Sequence, residues 1–238
     1  MPGSLNVGIG KPLPRSAVFK KDILTISDRQ FGERVGIYRL LDIFEKHGIK
    51  TTVFLNGRTV ERLPELSKEL DKLGHELASE SYIHDYSYMK TLEEEKFDLH
   101  RNVQAFKNIV GKPPLGYLSM GERPSNNTPQ LAFDEGYTYW VDPQHEELPY
   151  TLQVDGGELT VIPYIQYLND YATFLGDGGS PRQLLQTWKD TFDQLYSEAR
   201  TNPNVMMWGM HPFLTGRPHR AKVLDEFLEY VDGFPQVE

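Results

Sequence analysis

Two side chains suited to acid–base or metal chemistry follow a short apolar segment in the first half of the chain. Residues 75–78 have the composition of a buried strand, and Glu80 and His84 come after them. Active sites of α/β proteins form at the carboxyl ends of strands, and a carboxylate and an imidazole four residues apart can point at one atom. Glu80 and His84 are therefore predicted either to position a water molecule or to bind a metal ion. The alternatives are a solvated carboxylate for Glu80 and a hydrogen-bonded structural histidine for His84.

A third candidate, His211, follows the apolar segment 205–210 and precedes Pro212. An imidazole at a strand end, titrating near neutrality, is suited to general acid catalysis. Polar residues that follow other predicted strands are Arg123, Glu146, Glu147, Asn169 and Asp170. In a barrel these strand ends surround one axis. We therefore expect these five polar residues to line a single pocket together with Glu80, His84 and His211.

The segments that must position these residues alternate between helix and strand patterns. Helical spacing of apolar residues predicts a helix over 37–44, and the capping-box pair Thr91 and Glu94 predicts a helix that reaches residue 110. Further helices are predicted over 64–73, 128–135, 181–200 and 220–231, and strands over 50–55, 115–117, 137–141, 160–162 and 205–210. Such alternation requires crossover connections, and it predicts a mainly parallel sheet that is closed into a barrel or covered on both faces.

The chain of 238 residues is predicted to be a single domain, 1–238, in which residues 1–30 form an irregular arm. A net charge of -9 argues against binding to nucleic acid or to an anionic membrane surface, and favours a small polar substrate. The absence of cysteine excludes disulfides and thiolate chemistry, so any metal would have to be held by histidine and carboxylates. Without a signal-peptide pattern or a membrane-length apolar stretch, the expected location is the cytoplasm.

Motifs spread over residues 31–231 resemble the polysaccharide deacetylase (NodB-homology) superfamily, and within it the PuuE-type allantoinase and cyclic-amide hydrolase branch. The segments that carry the resemblance are 31–41 (FGERVGIYRLL), 74–78 (GHELA), 114–117 (PLGY), 125–128 (SNNT), 147–150 (ELPY), 162–164 (IPY), 169–170 (ND), 211–212 (HP) and 216–218 (GRP). The resemblance implies a distorted (β/α) barrel of about seven strands. It also implies hydrolysis of a carbon–nitrogen bond, other than a peptide bond, in a small amide, a cyclic amide or an N-acetyl group.

The chain departs from this family at its metal-binding motif. Deacetylases of this type hold a divalent metal with an Asp and a His-x-x-x-His pair, whereas the matching positions here are Glu80 and His84. The acidic motif of the family's first strand has no counterpart, so the barrel is expected to lack that strand. Since a zinc site ordinarily needs three protein ligands, a zinc-type divalent metal on Glu80 and His84 and a metal-free site are both left open.

The resemblance also implies roles for the remaining candidates. His211 would protonate the departing nitrogen, and Glu80 and His84 would position the attacking water or a metal. Substrate binding would fall to Arg123, Glu147, Asn169 and Arg217. A homo-oligomer is expected, because members of the cyclic-amide branch tend to assemble. The alternatives are a catalytically altered relative that binds a small polar ligand or runs a different reaction in the same pocket, and a structural subunit of an oligomer.

Overall fold

A computed structural model describes residues 21–176, 178–201 and 203–237. The described chain forms two compact units. The sheet unit contains residues 50–164 and 199–207, and the helical unit contains the described residues of 21–49, 165–198 and 208–237. The α-helices are α1 (Ile23–Phe31), α2 (Ile37–Lys46), α3 (Gly57–Arg62), α4 (Pro64–Lys72), α5 (Leu92–Ile109), α6 (Thr128–Asp134), α7 (Pro181–Glu198) and α8 (Pro218–Val231). The strands are β1 (Thr52–Leu55), β2 (Glu76–Glu80), β3 (Gly116–Leu118), β4 (Tyr139–Trp140), β5 (Tyr150–Val154) and β6 (Gly157–Val161).

The sheet unit is built on one six-stranded sheet in the order β1-β2-β3-β4-β6-β5. Neighbours from β1 to β6 pair in parallel, and only β5 runs antiparallel, against β6. The predicted parallel α/β sheet is therefore confirmed. Strand β5 was not predicted from the sequence; it joins β6 through a tight turn in which Gly156 has a φ of +88°, a conformation that glycine adopts without a steric penalty.

The core of the sheet unit explains why β3, β4 and β6 hold their positions. Apolar side chains from the sheet and from α5 and α6 form one cluster, which includes Leu99, Val103, Tyr117, Leu131, Trp140, Leu159 and Val161. Helix α5 begins as the capping box predicts: the Thr91 amide donates to the Glu94 carboxylate at 2.8 Å, and the Glu94 amide donates to Thr91 Oγ1 at 3.2 Å. This reciprocal cap fixes the start of the helix that packs beside β2 and β3.

The helical unit packs α7 against α8 through aromatic side chains. The Trp188 ring lies 5.5 Å from Phe227, and both side chains are almost fully buried. Helix α2 presents Leu40, Leu41 and Phe44 to the interior at the spacing that predicted it. Among the described residues no helix is both long and apolar enough to cross a bilayer.

Two predictions about elements of the fold are wrong. The irregular arm was expected to extend to residue 30, but α1 begins at Ile23, because the Asp22 side chain accepts a hydrogen bond from the Thr25 amide at 3.0 Å and caps the helix. Residues 1–20 of that arm lie outside the described residues. The expected strand over 205–210 is not a strand; its backbone makes a tertiary contact instead, with the Gly209 carbonyl accepting from the Asp170 amide at 3.2 Å. An apolar run by itself does not distinguish a strand from an irregular, partly buried segment.

Candidate active site

The helical unit contains a buried carboxylate that orients the imidazole of His211. Asp170 Oδ1 lies 2.7 Å from His211 Nδ1, and Oδ2 accepts from the His211 amide at 2.9 Å and from Thr215 Oγ1 at 2.5 Å. The Asp170 side chain is fully buried, whereas the His211 side chain is 38% exposed. The contact assigns the proton to Nδ1 and leaves Nε2 outside the pair with Asp170. This is the arrangement in which a carboxylate fixes the orientation of a general acid and stabilises its protonated form.

The segment that carries His211 turns sharply and packs against a glycine-lined π turn at residues Gly32–Gly36. The His211 carbonyl accepts from the amides of Leu214 and Thr215 at 2.8 and 2.9 Å. A Cβ added at Gly36 would lie 2.0 Å from the carbonyl oxygen of Pro212. A larger residue at Gly36 would therefore displace the turn that holds the imidazole.

Two of the predicted substrate-binding residues, Asn169 and Arg217, lie in the helical unit. Asn169 is 7% exposed, and its Oδ1 accepts from the Tyr171 amide at 2.8 Å, so it shapes the backbone beside Asp170. Arg217 donates to Asp28 at 2.6 Å, and its guanidinium stacks 3.7 Å from the Phe31 ring centroid. Both side chains are thus held by this unit's own residues.

The sheet unit brings Glu80 and His84 together. The strand was predicted to end at residue 78, but β2 extends to Glu80, whose Oε1 lies 3.4 Å from His84 Nε2. The His84 side chain is 62% exposed and that of Glu80 is 21% exposed. Of the other predicted residues in this unit, Arg123 is exposed after a short 3-10 turn, and Glu147 is exposed in the loop before β5.

A buried carboxylate in the sheet unit escaped the sequence analysis. Asp142 follows β4 and is 4% exposed, and it accepts from the Ser119 amide at 2.7 Å, from Ser119 Oγ at 2.5 Å and from the Trp140 indole N–H. Burial, with a smaller contribution from the charge of Glu80, raises the pKa of Asp142 to about 6, although these hydrogen bonds favour the ionised form. Its position just after the strand predicted over 137–141 was the signal that could have identified it.

Comparisons with known proteins decide the family. The sequence model of the polysaccharide deacetylase family matches residues 23–140. The crystal structure of a probable polysaccharide deacetylase from Pseudomonas aeruginosa is 30% identical, with a TM-score of 0.85, covering 91% of this chain and 73% of that chain. This chain belongs to the polysaccharide deacetylase family.

Two further proteins similar to this polysaccharide deacetylase homologue are named for different reactions. The crystal structure of PuuE allantoinase is 29% identical, with a TM-score of 0.84, covering 89% of this chain and 70% of that chain. The peptidoglycan deacetylase of Helicobacter pylori is 27% identical over 87% of this chain and 81% of its own length. The resemblance read from the sequence motifs is confirmed, and the fold is the NodB-like α/β fold of these proteins. Like them, this deacetylase-family chain is a hydrolase of carbon–nitrogen bonds other than peptide bonds.

Whether this polysaccharide deacetylase homologue can bind a metal depends on the side chains that would supply its ligands. Members of the family typically use a divalent metal. Within residues 21–176, 178–201 and 203–237, no group of three His, Asp or Glu side chains is placed to hold an ion. Glu80 and His84 supply two donors, one fewer than a zinc site ordinarily takes from the protein. The described residues therefore do not fit a zinc site of the family type.

Proposed function

We propose that this chain hydrolyses a ring carbon–nitrogen bond in a small cyclic amide, with His211 as the general acid. The observation that supports this proposal is the Asp170–His211 pair: a fully buried carboxylate bonded to Nδ1 of a partly exposed imidazole. A carboxylate in this position stabilises the imidazolium and directs its Nε2–H toward a substrate. The likeness to PuuE allantoinase over 89% of the chain favours a cyclic amide.

In the proposed reaction, His211 is the proton donor to the departing nitrogen. A water oxygen bonds to the carbonyl carbon and loses one proton to solvent, the carbon–nitrogen bond breaks, and the nitrogen takes the proton from His211 Nε2. His211 is left neutral with its Nδ1–H on Asp170, ready to be reprotonated. The new carboxylic acid releases its proton to solvent, so the products are a carboxylate and the N–H group of the departing nitrogen, which is part of a ureido group in hydantoin-type rings. Both groups remain in one molecule when the substrate is a ring.

We assign the positioning of the attacking water to Glu80 and His84. Their side chains are 3.4 Å apart at the end of β2, a separation at which a carboxylate and an imidazole can share a hydrogen-bonded water. Arg123, Glu147, Asn169 and Arg217 stay predicted substrate-binding residues. We further propose a homo-oligomer, because β5 lies at one edge of the sheet and, among the described strands, pairs with β6 alone. A cytoplasmic location also stays a prediction.

The function is tested by steady-state hydrolysis of allantoin, hydantoin and dihydrouracil, with N-acetylglucosamine oligomers as the competing substrate class. We expect turnover of at least one ring, and a loss of about 10²- to 10⁴-fold in kcat for His211→Ala, the range that general acid catalysis supplies. Asp170→Asn should lower kcat and also move the limb of the pH–rate profile that reports the acid. Glu80→Gln should lower kcat if Glu80 positions the water.

His219→Ala is the matched control, because His219 is an exposed histidine on α8. Its activity should equal that of the parent protein. Unchanged turnover by His211→Ala would remove the proposed acid. Release of acetate from the sugar oligomers without ring opening would assign the chain to N-acetyl substrates instead. Binding of a ring without turnover would favour the altered relative that only binds its ligand.

A further inference from the structure

An arginine that the sequence analysis did not single out lies over the aromatic rings that flank His211. The Arg29 guanidinium carbon is 3.7 Å from the Phe213 ring centroid and 5.9 Å from that of Tyr171. The same two rings lie 5.7 and 5.5 Å from the His211 ring. Arg29 occupies the last turn of α1 and is half-buried. Its position is therefore set by stacking beside the proposed acid.

Unlike Arg217 and Arg39, Arg29 has no hydrogen-bond acceptor among the described residues. Arg217 is paired with Asp28, and Arg39 donates to the Gly216 carbonyl. In the described part of the chain, the N–H groups of Arg29 contact neither a carboxylate nor a carbonyl oxygen. Stacking on ring faces leaves the in-plane N–H donors of a guanidinium available, and these donors match the geometry of a carboxylate.

The charges around His211 also favour an anion. Arg217 and Arg220 lie near Asp28 and Asp170, and both of these carboxylates already accept hydrogen bonds. The Nε of Arg220 is buried and has no hydrogen-bond partner, and burial lowers the pKa of this guanidinium. Asp28 and Asp170 are therefore already engaged by Arg217, His211 and Thr215, and among the described residues no carboxylate pairs with Arg29.

We propose that Arg29 binds a carboxylate carried by the substrate, so that the preferred substrates are cyclic amides with an acidic side group. This proposal rests on the function proposed above and names its substrate class. The guanidinium pairs with the side-group carboxylate in bidentate geometry and orients the ring, while His211 serves the scissile bond. A merely structural Arg29 would stabilise the contact of α1 with Phe213 and would not distinguish between substrates.

The test compares hydantoin with hydantoin-5-acetic acid, which share the scissile bond and differ by one carboxylate. Arg29→Gln keeps a polar side chain and removes the charge, Arg29→Lys keeps the charge and loses the bidentate geometry, and Arg34→Gln removes an exposed arginine of the π turn as the control. For Arg29→Gln we expect kcat/KM on the acid to fall about 10- to 100-fold, mostly through KM, as expected for loss of a charge-assisted hydrogen bond. On hydantoin the same variant should stay within about twofold of the parent, and Arg29→Lys should be intermediate on the acid.

Equal losses on both substrates, or no loss on either, would overturn the proposal. Isothermal titration of hydantoin-5-acetic acid into the parent protein and into Arg29→Gln tests the carboxylate site independently of the proposed hydrolysis. Binding by the parent that weakens at least tenfold in the variant supports the carboxylate site even if no ring is opened. No binding by the parent at about millimolar ligand, a free energy near -4 kcal/mol, would remove the site.

Discussion

At the scale of single residues, Asp142 makes the clearest stability prediction. Its pKa is raised to about 6 by burial, so the folded protein retains a proton that the unfolded chain releases near pH 4. Ionisation therefore costs stability as pH rises from about 4 to about 6, and the full cost remains above that window. We expect the parent to lose about 2 kcal/mol of unfolding free energy relative to Asp142→Asn between about pH 4 and pH 7.

Urea denaturation of both proteins across this pH range measures the difference. Asp155→Asn is the control, because Asp155 is an exposed residue of the turn between β5 and β6. Its stability should follow that of the parent at every pH. If the unfolding free energies of the parent and of Asp142→Asn change with pH in parallel, Asp142 ionises normally in the folded protein.

At the scale of elements, His47 joins the end of α2 to α8. Nε2 lies 2.8 Å from Asp225 and Nδ1 lies 2.9 Å from Asp232, so both ring nitrogens face carboxylates. Burial opposes the charged ring, but the two carboxylates outweigh it and raise the pKa of His47. A histidine with a raised pKa stabilises the fold fully below about pH 6.5 and loses this contribution as pH rises through the folded-state pKa.

His47→Gln should therefore destabilise the protein more at about pH 5.5 than at about pH 8. Because Asp225 and Asp232 are a third or more exposed, solvent screens the pair, and the difference should be below about 1 kcal/mol. Thermal unfolding at the two pH values measures this difference in destabilisation, with His219→Gln as the exposed-histidine control. A larger effect at the alkaline pH would show that the imidazole is neutral in the folded state.

At the scale of the whole molecule, the net charge of -9 opposes the proposed self-association. Salt screens repulsion between like charges over about 8–10 Å at physiological ionic strength. We expect light scattering to give a mass that is a multiple of the chain's own, and the assembly to strengthen when salt is raised. A single-chain mass at every salt and protein concentration tested would contradict the homo-oligomer.

Local patterns in the sequence were enough to predict most of the elements. The helical spacing of Leu40, Leu41 and Phe44, and the capping pair Thr91 and Glu94, depend on neighbours a few residues away, and the structure confirms both elements. Alternating strands and helices likewise predicted the parallel sheet, because parallel pairing requires crossovers. Strand β5 and the irregular segment 205–210 could not be predicted in this way, since backbone pairing depends on which segments meet in space.

The sequence by itself determined the family, the parallel α/β architecture and the imidazole at position 211, because each of these is carried by residue types at fixed spacing. Only the tertiary structure decided which groups surround that imidazole. Asp170 and Arg29 lie far from His211 along the chain, and they reach it through the turn at residue 170 and the end of α1. Ionisation and hydrogen bonding depend on burial and on distances of a few ångströms, which no spacing in the sequence specifies.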